Sequence, residues 1–303
     1  GYSANEVAVL VDLCRLHLLL PDVATRRDLS DSGTIRAVAA AVDSVEFLHL
    51  LASLTEADSL ATGPSAWGSW KAGLLTELVD RTERFLQGDG GDESAPDFPP
   101  QSTVDRMRRR DRDIVAKGSK LSVVAPDERL LFSRVAGVVA VNGLDVLDAA
   151  AYSDDDGMAA AEFELQTPTG APVEWDKVVA MVEAALDDRL ALSARIAQRA
   201  RTYAPYQRRL AASPPRRLVN VDNDISDVST VIDVHAPDTI GLLYRITQAI
   251  GEFGLDIRSA KVQTLGPEAV DSFYLRHQDG AKITDPVVLS ELELALTEAM
   301  GPR

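Results

Sequence analysis

The sequence holds a single cysteine, Cys14, in 303 residues. That excludes a disulfide scaffold and a cysteine-rich zinc site, and it predicts a reducing, cytoplasmic setting. Basic residues are outnumbered: 31 Lys+Arg against 47 Asp+Glu leave a formal net charge of −16. No nucleic acid and no anionic membrane is therefore expected as a partner, because both need a basic footprint. Long apolar runs are missing as well. The longest, Val7 to Leu20, is interrupted by Asp12, Arg15 and His17 and followed by Pro21, too short and too charged to span a bilayer. None of the four histidines, His17, His49, His235 and His277, precedes an aspartate, so the chain has no His-Asp dipeptide. Apolar residues, at 46%, are plentiful enough for real cores, and the length predicts two domains or three small ones.

Residues 1–86 read as helical. Val7, Leu10, Leu13, Leu16 and Leu20 recur at helical spacing up to Pro21. A second stripe runs from Ile35 through Val38, Val42, Val45 and Leu48 to Leu51. A third runs from Ser65 to Leu86, with Trp67 and Trp70 as core residues. Residues 87–117 read as a linker, Gly/Pro/Ser/acid-rich at first and then basic from Arg106 to Arg112; that basic run reads as a solvated or salt-bridged face. From residue 118 the pattern becomes strand, helix, strand, strand, helix up to 187. Residues 188–227 form a connecting helix and a crossing segment, and 228–303 repeat the earlier order.

The repeat is visible residue by residue. A shift of 111 aligns Ala125–Tyr152 with Ala236–Gln263, with nine identities in 28 ungapped positions, including Ala-Pro-Asp at 125–127 and 236–238 and Gly-Leu-Asp at 143–145 and 254–256. Two copies are too few for a solenoid. A tandem pair of small α+β sandwiches is predicted.

In the second copy Asp238 is placed to cap a helix starting at Thr239, and Gly241 would let a ligand approach the backbone. Free N–H groups at that helix start suit a small carboxylate. Backbone at Asp256 and Ile257 could receive the matching ammonium. The candidate binding residues are thus Pro237, Asp238, Thr239, Ile240, Gly241, Leu242, Asp256 and Ile257. A weaker second site comprises Pro126, Asp127, Asp145 and Val146, where Leu130 replaces Gly241. The same Pro-Asp arrangement also serves as an ordinary helix cap with no ligand.

The run from Ala236 to Gly266 resembles the ACT domain, an amino-acid-sensing module. Together with Val270–Leu275 and Lys282–Pro286 it resembles the last ACT domain of the bifunctional PII uridylyltransferase/uridylyl-removing enzymes. Leu16–Asp31 and Leu54–Lys71 resemble the distal half of the HD phosphohydrolase domain of that family, and Asp222–Ser226 fits too. The resemblance implies an α+β chain, a helical HD-type segment followed by two tandem ferredoxin-like βαββαβ ACT domains, forming a C-terminal part of a longer enzyme. It implies glutamine or a similar amino acid as ligand and the PII signalling protein as partner of the parent enzyme; apolar surface left on a helical segment without its first helices predicts that residues 1–86 pack against the ACT pair or form a homodimer. By the same resemblance, the parent is expected to attach a nucleotidyl group to PII when glutamine is scarce and to remove it when glutamine is abundant.

His17 and Asp58 match two metal-ligand positions of the HD set, which implies a divalent metal, Mg or Mn, in the intact parent. Two ligands do not make a hydrolytic centre. With the His-Asp pair and the transferase module missing, no cofactor, no catalytic residue and no activity are expected of this chain itself. Two rival readings are an active HD-type phosphodiesterase regulated by ACT domains and a stand-alone amino-acid-binding module.

Overall fold

The computed structural model describes residues 2–62, 69–89, 99–154, 156–207, 217–265 and 268–301. The chain forms two compact units, Gly1–Asp97 with Asp224–Asp227, and Phe98–Asn223 with Val228–Arg303.

The first unit is helical: α1 (Ala4–Leu16), α2 (Leu19–Arg26), α3 (Ser32–Val42), α4 (Val45–Thr62) and α5 (Ser69–Arg84), the last continued by a π-helical turn. Ser3 and Glu6 make a capping box at the start of α1. Pro21 does not stop a helix, contrary to the expectation. The helix breaks at His17-Leu18, and Pro21 sits in the first turn of α2, where a missing N–H is tolerated. The single stripe expected from Ile35 to Leu51 is likewise two helices. They meet at 97° about Asp43, whose backbone is left-handed (φ 61°). Leu20, Leu48, Leu51 and Leu78 are fully buried at the centre of this unit. Its α1 buries none of its residues, and Val7, Leu10 and Val11 stay exposed. Trp67 and the side chain of Trp70 lie outside the described residues. No single described helix is long and apolar enough to cross a membrane.

The second unit is one antiparallel sheet of eight strands, β1 (Asp113–Lys117), β2 (Lys120–Pro126), β3 (Asp145–Ser153), β4 (Met158–Gln166), β5 (Leu218–Asp222), β6 (Thr230–Pro237), β7 (Leu255–Leu265) and β8 (Glu268–His277), in the order β1-β2-β4-β3-β7-β8-β6-β5. The α+β class and the two ACT-type halves are present. Helices α7 (Leu131–Asn142) and α8 (Trp175–Leu186) belong to the first half, and α10 (Leu242–Glu252) and α11 (Pro286–Ala299) to the second, all sharing one apolar core with the sheet. The strand order within each half corrects the expectation. It is ββαββα rather than βαββαβ, with the edge strand supplied from ahead of the repeat. That strand comes from stretches read as linker and crossing segment. Residues 101–107 of the expected linker form α6, 113–117 form β1, and 218–222 of the crossing segment form β5. Both edge strands have only five residues and are flanked by charge, which hides the strand pattern and also guards a sheet edge.

Met107 of α6 packs with Val124, Met158 and Ala160. Val124 alternates with the core-facing Val123 and Ala125, so α6 covers the opposite face of the sheet. Most of the basic run is committed to internal pairs, as the salt-bridge reading expects, while Arg109 is exposed. Arg106 donates to Asp113 and Ser122, Arg108 pairs with Asp105, Arg110 with Asp156 and Arg112 with Asp187.

The halves join where β3 meets β7, pairing Asp148 with Lys261, Ala149 with Ala260 and Ala150 with Ser259. The Lys261 ammonium lies 2.9 Å from Asp148 Oδ1 across this seam. Because the seam is antiparallel, the corner entering β7 comes beside the strand-to-helix turn of the first half. The corner entering β3 comes beside the turn of the second half.

Candidate functional site

Two quasi-equivalent mouths flank the seam. Each is built from the β-to-α turn of one half and the helix-to-strand corner of the other. The first combines Asp127–Leu130 with Gly251–Arg258. The second combines Asp238–Gly241 with the corner at Gly143–Asp145, whose Asp145 acts electrostatically on Asp238. Sequence reasoning placed Asp256 and Ile257 opposite Asp238, and Asp145 and Val146 opposite Asp127. The structure exchanges these partners. Pairing across β3 and β7 is long-range, and neither copy's own pattern encodes it.

The helix starts differ as well. Asp238 is not a cap. Helix α10 starts at Leu242, after Gly241 in a left-handed conformation (φ 78°), with no side-chain cap bond. Thr239 and Ile240 lie in the turn, and Pro237 ends β6 opposite Glu268. In the first half Leu130 holds the same left-handed position (φ 69°) before α7. Pro126 ends β2 opposite Met158, and the Asp127 N–H donates to the Gly157 carbonyl at 2.9 Å.

Leu130 was expected to crowd its mouth and Gly241 to leave one open. The opposite holds. The Leu130 side chain folds onto the bare α-carbon of Gly251, and a cavity of about 130 Å³ stays open beyond it. At Gly241 the space a side chain would take is filled by Ile196, from α9 (Leu192–Gln207).

The open cavity collects charge of both signs. Asp127 and Asp256 contribute carboxylates, and Arg129, Arg258 and Arg276 contribute guanidinium groups. Burial, then the charge of Asp127, raises the Asp256 carboxyl above its usual range, against the pull of Arg276. Burial and the neighbouring Arg258 lower Arg276. Its Nε is buried with no hydrogen-bond partner among the described residues. Arg129 is held in place, donating to the Gly251 and Glu252 carbonyls at 3.1 and 2.8 Å. Sequence reasoning missed Arg129, Arg258 and Arg276. Arginines at a turn and on strands carry no periodic signal, and only the fold brings them together. A cavity this small, with separated cations and anions, suits a zwitterion of amino-acid size. Sites for drug-sized ligands run to about 300–1,000 Å³.

Residues 218–302 match the ACR9-like, ACT-like domain family. The whole chain aligns with much longer proteins. A relative from Streptomyces coelicolor is 34% identical over 93% of this chain, and one from Gluconobacter oxydans is 34% identical over 99%. One from Azospirillum brasilense is 31% identical over 99%. Each is described as a bifunctional uridylyltransferase/uridylyl-removing enzyme. The homologues of this chain are bifunctional uridylyltransferase/uridylyl-removing enzymes. The chain spans 40%, 37% and 38% of the lengths of these three relatives, respectively.

The metal positions implied by resemblance to these enzymes do not fit a metal on their own. Exposed His17 follows α1, with Nδ1 2.8 Å from the Cys14 carbonyl oxygen. Asp58 is exposed on α4. Among the described residues no three His, Cys, Asp or Glu side chains converge.

Proposed function

We propose that this chain is the regulatory, amino-acid-sensing portion of a bifunctional enzyme that nucleotidylates and denucleotidylates the PII signalling protein in the cytoplasm. The ligand is glutamine or a close analogue, bound at the open mouth between the two ACT-type halves. One observation carries this reading: the cavity pairs Asp127 and Asp256 with Arg258 and Arg276, and the Arg276 Nε is buried without a partner. A buried donor left unsatisfied costs about 1–3 kcal/mol, which a ligand carboxylate would relieve. The two aspartates would receive the ammonium, which would in turn favour their charged forms.

The helical unit is the distal part of an HD-type hydrolase, with His17 and Asp58 contributing metal ligands only beside residues of the intact parent. Ligand binding shifts the balance between transferase and hydrolase by favouring one arrangement of the domains. Couplings of this kind are typically about 1–3 kcal/mol. The test is calorimetry of the chain with millimolar L-glutamine. Saturable heat is expected, with affinity lowered roughly 10- to 100-fold in Arg276→Gln, and no heat from the wild-type chain would sink the reading.

A further inference from the structure

The second mouth is covered from within the chain: α9 sets Ile196 over Gly241 and the Arg199 guanidinium against Gly143, a place left open at the equivalent Gly254 of the first mouth. In the first mouth Arg129 donates to the carbonyl of Glu252, and Leu130 lies on Gly251. At the offset of 111 the second copy has Ile240 and Gly241 in place of that Arg-Leu pair. Helix α9 supplies the missing groups. Arg199 donates at 3.3 Å to the carbonyl of Val141, which is the counterpart of Glu252, and its guanidinium lies against Gly143, the counterpart of Gly254. Ile196 covers Gly241.

The docking stripe is narrow. Leu192 and Ile196 are buried and Arg199 half-buried, while Ser193 bonds the Tyr244 hydroxyl at 2.9 Å from an exposed position. Ala194, Arg195, Ala197 and Gln198 face solvent. A helix of this length has little stability of its own in water without such docking. It is also basic, carrying Arg195, Arg199 and Arg201, and it covers a mouth edged by Asp145 and Asp238.

From this we infer that α9 is a detachable strap, a built-in occupant of the second amino-acid mouth that competes with ligand there. Glycine at 241 is what admits it. Release would expose a second site for the same zwitterionic class and free the segment joining the two halves. The competition rests on the amino-acid reading of the first mouth; the detachment does not.

Hydrogen exchange on the whole chain separates the two. In Arg199→Glu, amides 193–202 should exchange at least tenfold faster while those inside α7 and α10 keep their wild-type rates. Ile196→Ala should do the same more mildly. Exchange in α9 that is unchanged, or that rises only together with α7 and α10, overturns the strap. With α9 released, 10 mM L-glutamine should slow exchange at 140–146, in addition to 251–258 at the first mouth. Protection confined to 251–258 overturns the competition. Protection at neither mouth overturns the competition and the amino-acid reading with it, while detachment is judged by the exchange of α9 alone.

Discussion

Asp256 and Arg276 face each other across the β7–β8 ladder at the lip of the open cavity. Burial raises the acid and lowers the base more than their mutual attraction offsets, so each is shifted toward its neutral form, and a zwitterion offers each a further opposite charge. Arg276→Gln keeps a donor but removes the charge. Charge-assisted hydrogen bonds contribute about 1.5–3 kcal/mol, so glutamine affinity should fall roughly 10- to 100-fold by calorimetry. Asp256→Asn should weaken binding similarly. An equal loss in Asp238→Asn would place the ligand at the other mouth.

The packing of α7 on α10 depends on Gly137. A methyl group there would come 2.8 Å from Tyr244 Cδ2 and 3.2 Å from Leu192 Cδ1, and the Tyr244 ring is held by its bond to Ser193. Overpacking costs about 1–3 kcal/mol, against a gain of about 1 kcal/mol for replacing a helical glycine. Gly137→Ala should lower stability by up to about 2 kcal/mol net. The melting midpoint should fall by up to about 8 °C. An unchanged midpoint would mean the ring and α9 shift at little cost.

Much of this architecture can be read in the chain and some of it cannot, for separable reasons. The repeat, the strand–helix alternation and the helix end at Gly143 are local patterns, and each is found where the residues put it. The edge strands escape because Ile114 and Val115 are too few to signal a strand amid charges. The site escapes because its halves come from different copies. Nothing near Asp127 indicates that Asp256, rather than Asp145, will stand opposite; only the β3–β7 register does. The closure of Gly241 escapes for the same reason, since Ile196 looks like any apolar residue of a charged helix.

The basic run gives a graded test of buried against exposed pairs. Arg106 has a side chain only 14% exposed and donates to the Asp113 carboxylate, the Asp113 carbonyl and Ser122. Arg110 and its partner Asp156 are 63% and 75% exposed. Arg106→Ala leaves the buried Ser122 and the half-exposed Asp113 carboxylate without this partner and should cost about 1–3 kcal/mol. Arg110→Ala should cost under about 0.5 kcal/mol. Denaturant titrations of both variants check this, and equal losses would refute the structural reading of Arg106.

Asp271 is buried in the sheet at 2% exposure, and burial, with the nearby charge of Asp238, pushes its carboxyl up to about 8. A bond from the Gln263 backbone N–H pulls only partly the other way, and Oδ1 has no partner among the described residues. By strand register the corresponding position of the first copy is Ala161, paired with Ala151 as Asp271 is with Val262, so the fold does not need a carboxyl there. The sign follows from linkage. Between the unfolded value near 4 and the folded value of about 8, the folded chain holds a proton that the unfolded chain has released. Stability is therefore complete below about pH 4, falls as pH rises toward 8, and levels off above that. Where the proton difference is complete, the slope from this one group is about 1.4 kcal/mol per pH unit. Asp31, Asp145, Asp238 and Asp256, all raised by burial, add in the same direction. Urea titrations of the wild type at pH 5, 6, 7 and 8 should show this decline. Asp271→Asn, which keeps the shape and cannot ionise, should flatten it and make the variant the more stable protein at pH 8. Parallel pH profiles for the two proteins would show that Asp271 is ionised in the folded chain.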